Sequence, residues 1–167
     1  MTDRHPSDLL PLRRDGAGLL LTPCPGTRGP APDAALADLQ AAGAEAVLTL
    51  MPTAEMVANG VANLDELCAR LGLQWFHFPI EDERAPGADF AAAWEEQRLA
   101  VHRLLDEGRK IAIHCKGGSG RTGLMAAQIL LERGWSSEGA RDAVKLLRPS
   151  ALNLAVHQDY FAALARR

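Results

Sequence analysis

"RKIAIHCKGGSGRTGLMAAQILLERG", residues 109–134, decides the fold. Residues 109–114 form a short apolar run of strand character, and 121–133 carry apolar residues at helical spacing. Between them stand Cys115, Lys116, Gly117, Gly118, Ser119, Gly120 and Arg121. A strand that turns through glycines into a helix makes an anion cradle, because N–H groups at a helix start have no partner inside the helix. A strand–turn–helix unit of this kind also belongs in a sheet flanked by helices.

Working outward from the turn, the same alternation repeats. "GLLLT" (18–22), "AEAVLTLM" (44–51) and "LQWFHFPI" (73–80) read as strands, and "RKIAIH" is the fourth. Helices are expected over "APDAALADLQAAG" (31–43), "VANLDELCARLG" (61–72) and "ADFAAAWEEQRLAVHRLLDEG" (88–108). Three more are expected over 121–133, 136–147 and 153–165. The prediction is an α/β domain with a central, mostly parallel sheet of four to five strands and helices on both faces. Residues 1–15 read as a flexible N-terminus, and 16–167 as a single catalytic domain.

A chain of 167 residues suits one core of ordinary size. Its net charge of -3 gives no reason to expect nucleic acid or an anionic membrane as partner. Three scattered cysteines do not make a disulfide framework, and "LLL" at 19–21 is too short for a signal peptide or a membrane span. The expectation is a cytoplasmic monomer without a membrane anchor. His5, His77, His102 and His157 show no metal-ligand spacing, so neither a metal nor a cofactor is expected.

Two chemistries compete for the glycine turn. Gly118, Gly120 and Gly123 satisfy the G-x-G-x-x-G of dinucleotide-binding loops. Such a loop requires a second strand ending in an acidic residue about 20 positions on. Here "SSEGARDAVKLLRP" is helical by period and ends in proline. A Walker loop fails as well, since Arg121 replaces its Gly-Lys-Ser/Thr ending. The other reading uses Cys115 and Arg121, separated by five residues. N–H groups of 116–121 converge on an anion, Arg121 grips two of its oxygens, and such surroundings favour a nucleophilic thiolate. A plain glycine turn around a buried cysteine is the bland alternative.

His114, Cys115, Arg121 and Thr122 match the His-Cys-x5-Arg-Ser/Thr signature, and the chain is identified as a member of the cysteine-dependent protein tyrosine/dual-specificity phosphatase superfamily. "FPIEDERAP" and "LLLTPCPGTRG" are most similar to its kinase-associated phosphatase (cyclin-dependent kinase inhibitor 3) subgroup. The resemblance implies a protein tyrosine phosphatase-like fold and phosphomonoester hydrolysis through a phosphocysteine intermediate. It implies Cys115 as nucleophile, with 116–121 and the Arg121 guanidinium holding the substrate phosphate. Thr122 would assist the departing sulfur, and His114 would shape the loop.

Among Glu81, Asp82 and Glu83, the family's Pro-Ile-x-Asp stretch places the general acid at Asp82. Glutamines of a late loop position water in relatives. Leu154 stands where the first is expected and Gln158 where the second falls, with Asn153 as a substitute. The implied substrate is a phosphorylated protein or peptide, with phosphotyrosine favoured and phosphoserine or phosphothreonine allowed. An inositol-phosphate or phosphoinositide phosphatase is the alternative, suggested by Lys116. A pseudophosphatase and a sulfurtransferase fit less well. Cys68 reads as core, and Cys24 as a partly exposed thiol.

Overall fold

The computed structural model describes residues 3–167. Five strands form one sheet in the order β1-β2-β5-β3-β4. They are β1 (Asp8–Pro11), β2 (Gly18–Thr22), β3 (Ala44–Thr49), β4 (Gln74–His77) and β5 (Lys110–His114). Only the β1–β2 pair is antiparallel. The helices are α1 (Pro32–Ala41), α2 (Thr53–Ala58), α3 (Leu64–Leu71), α4 (Ala88–Asp106), α5 (Gly120–Glu132), α6 (Ser137–Leu147) and α7 (Ala155–Ala165).

The unbroken apolar strands are explained by what covers the two faces. Leu19, Leu21, Leu48, Ile111 and Ile113 point into a core shared with Phe90, Trp94, Leu124, Val144 and Phe161 of α4–α7. Leu20, Val47 and Ala112, one residue out of phase, face Leu36, Leu39, Met56, Leu64 and Cys68 of α1–α3. Alternate side chains of a strand leave opposite faces, so a strand buried on both sides must be apolar throughout. Helix α5 runs through the larger core, and its residues from Arg121 to Leu130 are all buried. No helix among the described residues is long and apolar enough to cross a membrane.

Two elements depart from expectation. The stretch expected to be a flexible terminus contains β1, which pairs with β2 in the register Leu9↔Leu20 and Leu10↔Leu19. One reason is Leu10, which is buried in the main core. Another is the close approach at Gly18, where a Cβ would lie 2.6 Å from Leu9 Cδ1 and 3.1 Å from the Leu10 carbonyl oxygen, so a side chain there would have to push Leu9 aside. His5 is also tied down, its Nε2 within 2.8 Å of Thr22 Oγ1 and 3.0 Å of the Pro23 carbonyl. The second departure is α2, read as loop. Its six residues bury only Met56, too few turns for a helical period to show in the sequence.

The topology sets the site. In the parallel ladder β2–β5–β3, Thr22, His114 and Thr49 lie side by side at the strands' C-terminal ends. Everything that follows those ends gathers at one edge of the sheet, where open parallel sheets hold their ligands.

Candidate active site

Cys115 leaves β5 and the chain turns at once into the glycine loop. Cys115 is 3% exposed, and its sulfur accepts two hydrogen bonds. One comes from the Gly118 N–H at 3.3 Å and the other from the Thr122 hydroxyl at 3.2 Å. Gly118 has φ +80°, and a Cβ there would stand 2.6 Å from Pro23 N and from the Thr22 carbonyl carbon. The loop therefore lies flush on the end of β2 and tolerates no side chain at this position. Two further bonds pin it: the Cys24 N–H donates to the Lys116 carbonyl at 2.9 Å, and Arg148 Nε donates to the Gly118 carbonyl at 2.7 Å. Arg148 also donates to the Leu21 carbonyl and pairs with Asp8, so one guanidinium ties the loop to β2 and β1.

His114 sits inside a relay. The Trp75 indole N–H donates to Thr49 Oγ1 at 2.8 Å, and Thr49 Oγ1 lies 2.7 Å from His114 Nε2. His114 Nδ1 lies 3.0 Å from the Cys115 carbonyl. A carbonyl only accepts, so the proton is on Nδ1 and Nε2 takes the Thr49 hydroxyl. Full burial lowers the His114 pKa to about 4, which keeps the ring neutral near pH 7. His114 shapes the loop from below.

Arg121 is 3% exposed at the start of α5. Its Nη1 and Nη2 donate to the two oxygens of Glu55 at 2.9 and 2.8 Å, and Nη1 also donates to the Ile80 carbonyl at 2.9 Å. Burial works against its charge, but the Glu55 bonds and the Cys115 and Asp82 charges outweigh that, so its pKa is raised. Glu55 holds one end of the guanidinium fork, which leaves the Nε/Nη2 edge to grip two oxygens of an anion. Asp82 Oδ1 lies 3.4 Å from Nη2, and its side chain is 69% exposed. A phosphate taking that edge would compete with Asp82 for Nη2.

Asp82, Glu83, Cys115, Lys116, Gly117, Ser119, Gly120 and Arg121 line one pocket of about 500 Å³. The structure thus assembles the nucleophile, the loop and the acid expected from the sequence. Glu81 is not among the lining residues and faces a different cleft with Pro52, Pro79 and Arg84.

Gln158 and Asn153 do not line the pocket. Gln158 is exposed and donates to the Leu152 carbonyl at 3.0 Å, while Asn153 Oδ1 accepts from Lys145 at 2.7 Å. The reason is helical phase. Leu154 and His157, three residues apart at the start of α7, share the face that looks into the pocket, and Gln158 lies a further 100° or so round the helix. His157 is buried, and its Nε2 donates to the Arg84 carbonyl at 2.8 Å. Its Nδ1 is buried without a partner. Cys24 is fully buried, against the expectation of partial exposure, because it packs with Cys68 in the core of α1–α3. Burial pushes both thiols up to about 12; at Cys24, which is bonded to the glycine loop at Lys116, the charge of nearby Cys115 adds to the rise.

Residues 25–135 match the family model described as "Polymorphic toxin system, DSP-PTPase phosphatase". The chain belongs to this family of dual-specificity-type phosphatases. It is 36% identical to rat (Rattus norvegicus) cyclin-dependent kinase inhibitor 3 over 95 residues, covering 56% of this chain and 43% of the relative. Against the mouse (Mus musculus) protein it is 32% identical over 123 residues, covering 72% and 56%. The chain therefore spans about half the length of these curated relatives. Among solved structures it is similar to kinase-associated phosphatase with its catalytic cysteine replaced by serine (TM-score 0.83, 26% identity, 99% of this chain and 98% of that one). It is also similar to Tk-PTP in the active form (TM-score 0.74, 25% identity, 96% and 97%). The phosphatase family and the protein tyrosine phosphatase-like fold expected from the loop are thereby established. A dinucleotide site is not supported, since α6 occupies the place of the required second strand.

Proposed function

We propose that this chain is a metal-independent phosphomonoesterase acting on phosphotyrosine, and on phosphoserine or phosphothreonine, in proteins through a phosphocysteine intermediate. One observation carries the reading. The Cys115 sulfur accepts hydrogen bonds from a loop N–H and from Thr122, at the floor of a pocket that also holds Arg121 and Asp82. The substrate phosphoryl group sits over the loop, held by its N–H groups and by the free edge of Arg121. Sulfur then attacks phosphorus, the S–P bond forms as the ester P–O bond breaks, and Asp82 delivers a proton to the departing oxygen. In the second step Asp82 takes a proton from water, the water oxygen attacks phosphorus and the S–P bond breaks. The Thr122 hydroxyl stabilises the returning thiolate. Inorganic phosphate leaves, and Asp82 is again protonated.

A protein substrate is supported by the relatives named cyclin-dependent kinase inhibitor 3 and kinase-associated phosphatase. Phosphotyrosine is favoured because an aryl oxygen leaves more easily than an alkyl one. Three cysteines without a disulfide fit a reducing compartment such as the cytoplasm. Lys116 at the pocket favours inositol-lipid phosphates as the second reading. The test is p-nitrophenyl phosphate turnover with and without chelator, followed by phosphotyrosine, phosphothreonine and inositol-lipid panels. Wild type should turn over in chelator and Cys115→Ser should not. Activity in Cys115→Ser would exclude the thiolate mechanism, and a preference for lipids over every peptide would exclude the protein substrate.

A further inference from the structure

The phosphatase reading leaves three charged side chains of the pocket without a role: Glu83, Arg28 and Lys116. Arg28 and Lys116 line the same cavity as Cys115. Both are exposed, and neither forms an ion pair among the described residues. The reacting phosphoryl group does not need them, since the loop N–H groups and Arg121 already serve it. Asp82 and Glu83 line the same cavity, so its lining carries charges of both signs. In a chain of net charge -3, two cations without ion-pair partners in one phosphate pocket are surplus to the chemistry described so far.

The backbone carrying them is built, not loose. The turn after β2 is closed by the Thr27 N–H and the Thr27 hydroxyl, which donate to the Cys24 carbonyl at 3.2 and 2.6 Å. The same turn is joined to the glycine loop at Lys116 by the Cys24 N–H, at 2.9 Å. Gly26 makes the bend at φ +94°, where a Cβ would lie 2.7 Å from Pro32 Cγ. Arg28 is thus presented from a closed turn fastened to the residue that carries the second cation.

We propose that Arg28 and Lys116 form a second anion subsite, which selects peptides bearing another phosphoryl group close to the one being removed. This rests on the phosphatase reading above. A planar guanidinium takes two phosphate oxygens together, an ammonium adds a point charge, and two cations match a phosphate dianion better than a single carboxylate. The subsite contributes binding and orientation only. No bond to the second phosphate is made or broken.

Four soluble substrates test it: a phosphotyrosine peptide with neutral flanks, the same peptide with glutamate beside the phosphotyrosine, the same peptide with phosphoserine there, and an inositol polyphosphate. In wild type, kcat/KM for the doubly phosphorylated peptide should exceed that for the neutral one by about tenfold, with the glutamate peptide between them. The advantage should shrink as salt rises. In Arg28→Ala the ratio should fall toward one, and in Arg28→Glu it should invert. A wild-type ratio near one, a ratio unchanged in Arg28→Ala, or faster hydrolysis of the inositol polyphosphate than of any peptide would overturn the subsite. Failure to hydrolyse any of the four or an aryl phosphate would instead overturn the phosphatase reading itself.

Discussion

Replacing Glu55 by glutamine probes how the site holds its arginine. Glu55 makes two bonds of 2.9 and 2.8 Å to a guanidinium that is 3% exposed, and is itself 20% exposed. A glutamine keeps one acceptor but turns an NH2 toward an N–H donor, so at least one charge-assisted bond is lost. Such a bond is worth about 1.5–3 kcal/mol. If about 2–3 kcal/mol of that holds the fork in its productive orientation, kcat should fall roughly 30- to 160-fold, at 1.36 kcal/mol per decade. Ground-state binding should move the other way. Loss of a carboxylate leaves Arg121 freer to attract phosphate, so KM for an aryl phosphate should stay constant or fall. The assay is steady-state hydrolysis of p-nitrophenyl phosphate alongside a urea melt that confirms folding. A kcat within twofold of wild type in a folded variant would refute the anchoring role, and a rise in KM at constant kcat would show that Glu55 serves binding alone.

Asp82→Asn should slow phenyl and alkyl phosphates by roughly 10²–10⁴ while sparing esters of strongly acidic phenols; an equal loss across leaving groups would point to a structural role. His157→Phe breaks the bond to the Arg84 carbonyl. It should slow poor leaving groups more than good ones by loosening the acid loop, with His157→Gln, which retains an N–H donor, restoring most of the rate. The buried neutral His114 makes folding stability depend on pH. Its folded pKa of about 4 lies below the ordinary 6.5, so the unfolded chain binds the extra proton between those values. The stabilisation is complete above pH 6.5 and is lost as pH falls toward 4, by about 3 kcal/mol in all. Urea titrations at several pH values should show this slope, and His114→Asn should reduce it. Peroxide-treated Cys68→Ser should recover activity with thiol as wild type does, because Cys68 lies in the core opposite Cys115; Cys24, which is bonded to the glycine loop at Lys116, is the thiol near enough to matter, and slower recovery in Cys24→Ser would show that it protects Cys115.

The stretch 109–134 was legible because its chemistry is contiguous. Cys115, the glycines, Arg121 and Thr122 follow one another, and a phosphate cradle needs them in that order. The proposed placing of the general acid at Asp82 rests on the family's Pro-Ile-x-Asp pattern alone, since three neighbouring carboxylates are equivalent by composition. Glu55 was not legible. It lies 66 residues before Arg121, on a helix too short to announce itself, and looks like any exposed glutamate. Arg148 was equally silent, because its worth lies in three partners on separate elements. Side-chain type points to Gln158, whereas helical phase turns His157 toward the pocket. A helix boundary at Ala155 decides which of two adjacent residues faces the pocket, and boundaries are what a sequence specifies least sharply. β1 was missed for a similar reason, its polar and proline-bearing stretch hiding the single buried side chain, Leu10.

Rapid mixing of the protein with an aryl phosphate, an acid quench and mass spectrometry of the peptide containing Cys115 test the central claim most directly. The thiolate mechanism predicts a peptide heavier by one phosphoryl group, with the added mass on Cys115, appearing in wild type and absent from Cys115→Ser. Turnover with no phosphorylated Cys115 at any quench time, or phosphate trapped on another residue, would contradict it.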